Sequence, residues 1–231
     1  MLLVHATNPK YIKDILSDGS LKSFKQTGKV GEGEGSNDMN PNVVFLSVLF
    51  DFYKILIPGP ATKNHAPVWL IFDTDKTLKS KHPEHFCPAW DWGKYEEECV
   101  QYSSTTTPAD WEAAYRKRWS ASQQPNRYLF GLPSADFAVN ELVFKDSVSL
   151  DENLVGIYAL DAKWTHPLLM TQPQELMDFL SKYGYKSIEI HDWPAGLPRN
   201  DDMKFYKKYM RKSRRRKTKS RKTLKKSKSR S

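Results

Sequence analysis

The chain has 231 residues, of which 39% are hydrophobic and 13% aromatic, so it can form one packed domain and is not disordered throughout. Its formal net charge of +9 is unevenly spread. Residues 204–231 hold sixteen of the 36 Lys and Arg and no acid, which leaves twenty bases against all 27 acids in residues 1–203. The composition therefore predicts a mildly acidic domain over residues 1–200 and a basic, largely disordered tail over 201–231.

The first part of the chain predicts strand, helix, loop and strand in that order. Asn8 is a favoured N-cap residue, Pro9 suits the first helical position, and Gly19 suits a helix end. Apolar residues recur between them at helical spacing. The predicted elements of this part are a strand at 2–5, a helix between Asn8 and Gly19, a glycine-containing loop at 31–35 and a strand at 43–46.

The second part predicts more short strands and two further helices. Asp110 and Glu112 lie in the first turn of the segment that follows Thr107-Pro108, where the helix dipole favours acids. The order of these elements favours an α+β fold over a doubly wound parallel sheet. The predicted strands lie at 68–72 (closed by Asp73), 140–144, 155–160 and 187–191, and the helices at 109–119 and 174–183.

Three pieces of sequence at or near predicted strands suggest a functional site. His5-Ala6-Thr7 ends the first strand. Phe45 lies in the strand after the glycine-containing loop, and Tyr53 follows it. Glu141 opens a strand near the other end of the domain. An acid at the head of an apolar strand either caps that strand or acts in a cleft.

Taken in this order, the pieces resemble the ADP-ribosyltransferase superfamily, in its His–Tyr–Glu branch of poly(ADP-ribose) polymerases and DNA-modifying ADP-ribosyltransferase toxins. The resemblance covers about residues 1–160. It implies an ADP-ribosyltransferase-like α+β fold of split antiparallel β-sheets with a few flanking helices. It also implies NAD-dependent ADP-ribosyl transfer to a protein or nucleic-acid acceptor. The related 2′-phosphotransferase chemistry on RNA needs further basic phosphate-binding residues, which are not evident in this sequence.

The resemblance also implies a role for each residue. His5 would hydrogen-bond the adenosine-side ribose of NAD, with Thr7 beside it. Phe45 and Tyr53 would sandwich the nicotinamide, and Glu141 would accept the hydroxyls of the nicotinamide ribose. A carboxylate suits the positive charge that develops as the nicotinamide bond breaks, and an aromatic face stacks without adding charge.

Two residues depart from the family pattern, and each site residue has a structural alternative. Ala6 stands where the family has glycine, and Phe45 stands where it has tyrosine. His5 alternatively serves as a hydrogen-bonded structural residue, Phe45 as part of the core, and Glu141 as a strand cap. A chain in which His5 and Glu141 lie far apart, or in which Glu141 points to solvent, would favour these alternatives.

A second cluster contains residue types that bind zinc. It comprises His82, His85 and Cys87, with Cys99 further along the chain. The spacing matches no established zinc motif, and the first three lie in a predicted loop. We therefore interpret them as structural or surface residues and predict no metal site.

The tail carries cations almost without apolar residues. Such a segment does not fold alone, but it binds polyanions through counterion release. Nucleic acid is the predicted partner, and no apolar run approaches the roughly 20 residues that span a bilayer, so no membrane partner is predicted. The composition resembles the basic termini of large DNA-virus proteins and a nuclear localisation signal, so the predicted location is intracellular, nuclear or virion-associated. The predicted nucleic-acid-binding residues are Arg211, Lys212, Arg214, Arg215, Arg216 and Lys217.

The alternative function is a nucleic-acid-associated protein without enzymatic activity. In that case the basic tail would bind nucleic acid, and the α+β domain would be a degenerate transferase or unrelated to that family. The two hypotheses differ in whether His5, Phe45 and Glu141 share one site.

Overall fold

The computed structural model describes residues 1–28, 42–50, 55–60, 68–87, 100–103, 105–120 and 141–191, and within them the chain is an α+β fold in one compact unit. The strands of these ranges are β1 Leu2–Thr7, β2 Ser20–Lys22, β3 Val43–Leu49, β4 Ile55–Pro58, β5 Val68–Asp73, β6 His85–Cys87, β7 Val100–Gln101, β8 Glu141–Lys145, β9 Ser147–Ser149, β10 Leu154–Tyr158, β11 Leu169–Met170 and β12 Ile188–His191. The helices are α1 Pro9–Asp18, α2 Phe24–Thr27, α3 Thr74–Ser80, α4 Pro108–Ser120 and α5 Pro173–Lys182.

Eight of these strands form one sheet in the order β11-β10-β5-β1-β3-β8-β6-β7. Its neighbouring strands run antiparallel, except for the parallel pair β10–β11. Two smaller pairs accompany it, β4 with β12 in parallel and β2 with β9 antiparallel. The strand β1 is central in the large sheet, and it pairs with β5 along its whole length but with β3 only over its first half.

The main core lies around β5 and the first half of β1. Leu70, Ile71 and Phe72 of β5 have no exposed surface. Leu2, Leu3 and Val4 of β1 are equally buried, whereas the second half of that strand, residues 5–7, is half-buried. The strand β1 therefore begins in the core and emerges from it at His5.

The helices α1 and α3 begin or end at capping residues that adjoin strands. The Asn8 side chain accepts a hydrogen bond from the backbone N–H of Lys10 (3.0 Å), and Gly19 ends α1 with a left-handed φ of 60° that suits glycine. Asp73 is both the last residue of β5 and the N-cap of α3, accepting from the Lys76 N–H (3.0 Å). The chain therefore passes from strand to helix without a loop.

Most of the longer predicted elements are confirmed within one or two residues. The N-cap at Asn8 and the helix end at Gly19 are as predicted, and the strand predicted at 140–144 is β8, displaced by one residue. Asp73 closes a strand as predicted, but it also begins α3, which the sequence analysis missed. Further unpredicted elements are β2, β4, β6, β7, β9, β11 and α2.

The predicted loop around the second cluster is wrong in its second half. His85–Cys87 forms β6, which pairs with β8 from His85↔Val143 to Cys87↔Glu141. Three residues are too few to show the alternation by which a strand is recognised, and this strand forms through pairing with a distant segment.

Several predictions fall outside the described residues. These are the glycine-containing loop, Tyr53, Cys99, the end of the domain and the whole tail, so the limits 1–200 and 201–231 stay predictions. No helix in the described ranges is long and apolar enough to cross a membrane.

Candidate functional site

The candidate site lies where β1 and β3 part. These strands pair at three positions, from Leu2↔Leu49 to Val4↔Ser47. Beyond Val4, β1 continues against β5 as far as Thr7, whereas β3 continues against β8 as far as Val43. Among the described residues, no backbone pairing closes the gap between the second half of β1 and the first half of β3. His5 is the first residue of β1 past this point.

The His5 side chain hydrogen-bonds a backbone carbonyl of β3 at the gap. Its Nδ1–H donates to the carbonyl of Phe45 over 2.9 Å. Because a carbonyl only accepts, the ring proton must be on Nδ1, and Nε2 of the neutral ring keeps its lone pair. Burial lowers the pKa of His5, and the hydrogen bond to Phe45 opposes this with a smaller effect. At neutral pH the ring is therefore uncharged and presents an acceptor at Nε2.

Glu141 lies two strands away from His5. It pairs with Ser47, which itself pairs with Val4, so these three residues form one row across β8, β3 and β1. With strands about 4.8 Å apart, this register places the Cα atoms of His5 and Glu141 about 10 Å from each other. Since side chains alternate along a strand, the side chains of His5 and Glu141 leave opposite faces of the sheet, so a ligand that contacts both must reach through the gap between β1 and β3.

The Glu141 carboxyl is in an environment that disfavours its charge. The residue is half-buried and does not point freely into solvent. Burial raises the pKa of this carboxyl from 4.5 to about 7, and no opposite charge offsets that effect. The carboxyl therefore takes up and releases a proton near neutral pH, a property common among groups that carry out chemistry.

Phe45 lies on the same face of the sheet as Glu141. Phe45 pairs with Val143 and Ser47 pairs with Glu141, so the two side chains are diagonal neighbours, about 7–8 Å apart at this register. The Phe45 ring is half-buried and packs against Val43 and Val143 in a small cluster separate from the main core. Phe45 therefore packs in a second hydrophobic cluster, apart from the main core.

The remaining predicted site residues are Thr7, Tyr53 and the six tail cations. Thr7 ends β1, half-buried and opposite Val68 of β5, two residues beyond His5 and on the same face as it. Tyr53 and the six tail cations lie outside the described residues. His5, Phe45 and Glu141 thus lie near one point of the sheet, with Phe45 and Glu141 on one face and His5 and Thr7 on the other.

The sequence analysis missed the residues that border Glu141. Ser47 is 5% exposed and lies between Val4 and Glu141, and Cys87 of β6 lies in register on the other side. No local signal identifies either residue, because both positions depend on the pairing of distant strands. In the described part of the chain, no group of three or more His, Cys, Asp and Glu is arranged to hold a metal ion. Cys99 lies outside that part.

Comparisons with known proteins give two similar solved structures. One is Thermus sp. 2.9 DarT in complex with ADP-ribosylated ssDNA, at 12% sequence identity and a TM-score of 0.42, covering 83% of this chain and 93% of that chain. The other is the same protein in complex with carba-NAD+, at 13% identity and a TM-score of 0.39, covering 83% and 95%. No family model and no curated protein matches the sequence.

Proposed function

We propose that this protein transfers ADP-ribose from NAD to a protein or nucleic-acid acceptor. The observation that carries the proposal is the region where β1 and β3 part. A neutral imidazole with a fixed tautomer lies there on one face of the sheet, and a half-buried aromatic ring and a carboxyl with a pKa of about 7 lie on the other face, without a neutralising cation among the described residues. NAD supplies the ADP-ribosyl group, with nicotinamide as its leaving group.

His5 contributes a hydrogen-bond acceptor in a fixed position. Its Nδ1–H is held by the Phe45 carbonyl, so the lone pair of Nε2 would be available to a ligand. A ribose hydroxyl is a donor of the right kind for this atom. The depressed pKa of His5 keeps the ring neutral at pH 7, so the acceptor is not lost to a proton. Thr7, two residues further on, would lie beside the same sugar.

Glu141 contributes a negative charge in a poorly solvated position. Its carboxylate would accept the hydroxyls of the nicotinamide ribose and stabilise the positive charge that develops on that sugar. Water is scarce around a half-buried carboxylate, so its interaction with developing charge is stronger than at an exposed site. Phe45, on the same face, would offer its ring to the nicotinamide, and Tyr53 would supply the second ring of the predicted sandwich.

The test is incubation of the full chain with NAD labelled on its adenosine half, together with mixed protein, DNA and RNA acceptors. We expect label on one acceptor class, and a loss of that label with Glu141→Gln. Glu84→Gln is the matched control, because Glu84 is exposed and precedes β6, the strand that pairs with Glu141. Binding of NAD without transfer or hydrolysis would leave a binding domain, and an active Glu141→Gln protein would refute the catalytic role.

The tail would bind nucleic acid through its positive charge. Residues 204–231 hold sixteen cations and no acid, and each phosphate that a cation neutralises releases a counterion. Lys and Arg on a segment of this composition respond to charge rather than to base edges, so we expect little sequence preference. Such a tail would also serve as a nuclear localisation signal, which would place the protein in the nucleus.

The tail is tested in the full chain by replacing six cations with serine: Arg211, Lys212, Arg214, Arg215, Arg216 and Lys217. The slope of log affinity for a DNA duplex against log salt should become shallower by about 5, since each contact contributes about 0.9. NAD binding by the variant should match that of the wild type. An unchanged salt slope would show that the folded domain, and not the tail, holds the duplex.

A further inference from the structure

His85 of β6 lies on the same face of the sheet as Glu141, and the proposed reaction does not use it. His85 pairs with Val143, which is two residues from Glu141 along β8. Paired residues share a face of the sheet, and so do residues two apart on one strand. The opposite face of the same strands carries Phe86 and Leu142, which belong to the main core. The side chains of His85 and Glu141 therefore leave the sheet on the face away from these core residues.

Glu141 lies between an aromatic ring and an imidazole on this face. Val143 pairs with Phe45 of β3 on one side and with His85 of β6 on the other. With strands about 4.8 Å apart, the Cα atoms of Phe45 and His85 are about 10 Å from each other. Glu141 is a diagonal neighbour of each, at about 7–8 Å, which side chains of this length can bridge. A sugar held by the Glu141 carboxyl would therefore have Phe45 on its β3 side and His85 on its β6 side.

Backbone pairing holds His85 in position. The residue pairs with Val143 of β8 and with Gln101 of β7, so its strand has a partner on each side. Directly before it, the N–H of Glu84 donates to the carbonyl of Val143 over 2.7 Å. The His85 side chain is half-buried, which further restricts the ring. A side chain that transfers a proton needs a defined position, because it must come within hydrogen-bond distance of the reacting group.

The arrangement of the three side chains indicates the direction from which an acceptor approaches. In the proposed reaction the nicotinamide would stack on Phe45, on the β3 side of Glu141. A nucleophile that replaces a leaving group approaches from the side opposite to it, which here is the β6 side, where His85 lies. An acceptor O–H or N–H loses its proton as the new bond forms. Imidazole is the side chain that most often accepts such a proton near neutral pH.

We propose that His85 is the general base of the transfer, and that the acceptor is a group with a proton to lose, a hydroxyl or an N–H rather than a carboxylate. The acceptor atom forms a bond to the anomeric carbon of the nicotinamide ribose as the bond from that carbon to nicotinamide breaks. The electron pair of the broken bond neutralises the pyridinium nitrogen, so nicotinamide leaves uncharged. The acceptor proton passes to the neutral His85 ring and from there to solvent. The inference rests on the proposed function.

The test compares His85→Gln and His85→Asn with the wild type, in the full chain and with labelled NAD and mixed acceptors. Both variants should transfer label about 10²-fold more slowly, with NAD affinity within about twofold of the wild type, because a general base acts on the chemical step and not on NAD binding. Each amide keeps hydrogen-bonding atoms near one ring nitrogen, but neither accepts a proton near neutral pH. A purely structural hydrogen bond of His85 would be preserved in one variant, which would then keep its rate.

Added imidazole gives a second readout. In His85→Ala it should restore part of the transfer rate, because free imidazole can accept the proton in place of the missing side chain. His166→Gln is the matched control, since His166 is also half-buried but precedes β11, which lies near the other edge of the large sheet from β6. We expect this variant to transfer label as the wild type does, with or without imidazole.

The outcomes separate this inference from the proposed function. A wild-type rate in His85→Gln or His85→Asn, or no recovery of His85→Ala with imidazole, would overturn the role of His85 as a base. Label that neutral hydroxylamine removes, as it does from esters of carboxylates, would overturn the acceptor class. Transfer lost in Glu141→Gln but kept in His85→Gln would refute this inference and retain the proposed function, whereas a wild type without transfer would refute both.

Discussion

The two sides of β1 differ in how completely they are paired. On the β5 side, pairing runs over six positions, from Leu2↔Asp73 to Thr7↔Val68, and the partner residues are almost all buried and apolar. On the β3 side, pairing stops at Val4↔Ser47, and His5, Phe45 and Glu141 lie near the point where it stops. A complete ladder satisfies backbone groups with backbone groups, whereas an interrupted ladder leaves them to side chains.

The β5 side of β1 stabilises the fold, whereas the β3 side contains a group whose burial is unfavourable. The β5 side removes apolar surface from water, which is the main source of stability. The β3 side holds a carboxyl whose charge is disfavoured by burial. A half-buried carboxylate without a partner costs free energy in the folded state. The following predictions separate the two sides by their effects on activity and on stability.

The largest effect is expected for Glu141→Gln on the transfer rate. Glutamine has the same shape but carries no negative charge, so stabilisation of positive charge on the ribose should be lost. We expect the rate at pH 8 to fall by about 10²- to 10⁴-fold, the usual range for losing such a group. Label transfer by the folded variant measures this, with Glu84→Gln as control. A decrease in the transfer rate of less than threefold would show that Glu141 has a structural role and not a catalytic one.

The core side should behave in the opposite way. Leu70 has no exposed surface and lies in β5 opposite His5. Leu70→Ala should lower the free energy of unfolding by about 2–5 kcal/mol, from lost burial and a cavity. Denaturant titration measures this loss. At a temperature where the variant is folded, NAD transfer per folded molecule should stay within severalfold of wild type. If Leu70→Ala lost as much transfer activity as Glu141→Gln, packing on the β5 side and activity on the β3 side would not be independent.

The pH dependence of stability gives a third test. The pKa of Glu141 is raised in the folded state to about 7 from 4.5, so the folded chain binds more protons between these values. Stability from this group is complete below pH 4.5 and is lost as pH rises through about 7. Glu141→Gln should therefore be more stable than wild type at pH 8, by about 1–2 kcal/mol after discounting for partial exposure. Equal stability of the two proteins at pH 8 would mean that Glu141 is well solvated.

The sequence predicted the elements whose signals are local. Asn8, Pro9 and Gly19 define α1 by capping chemistry, and Val43–Leu46 is apolar enough to indicate a buried strand. It also placed Glu141 at the head of a strand. The row that links Val4, Ser47, Glu141 and Cys87 was not predictable, because register between distant strands is set by packing of the whole sheet. The bond from His5 to the Phe45 carbonyl depends on that register too.

The smallest effect is expected at His5, and two substitutions separate its two nitrogen atoms. His5→Asn keeps a donor near the Nδ1 position and can still bond the Phe45 carbonyl, whereas His5→Gln places its amide near the Nε2 position. We therefore expect His5→Asn to be more stable than His5→Gln by about 1 kcal/mol, the contribution of one hydrogen bond. His5→Gln, with an acceptor oxygen near Nε2, should bind NAD better than His5→Asn. Thermal unfolding measures which variant is more stable, and NAD titration measures which variant binds NAD more tightly.

The same residue adds a pH dependence of the opposite direction to that of Glu141. Burial lowers the pKa of His5 below 6.5, so the unfolded chain binds more protons below that value. Stability from this group is present above pH 6.5 and is lost as pH falls through the folded pKa. His5→Asn does not titrate, so its stability relative to wild type should improve as pH falls below 6.5. If the stability difference stays constant with pH, or if His5→Asn binds NAD better than His5→Gln, the ring is not the neutral acceptor that its contact with Phe45 indicates.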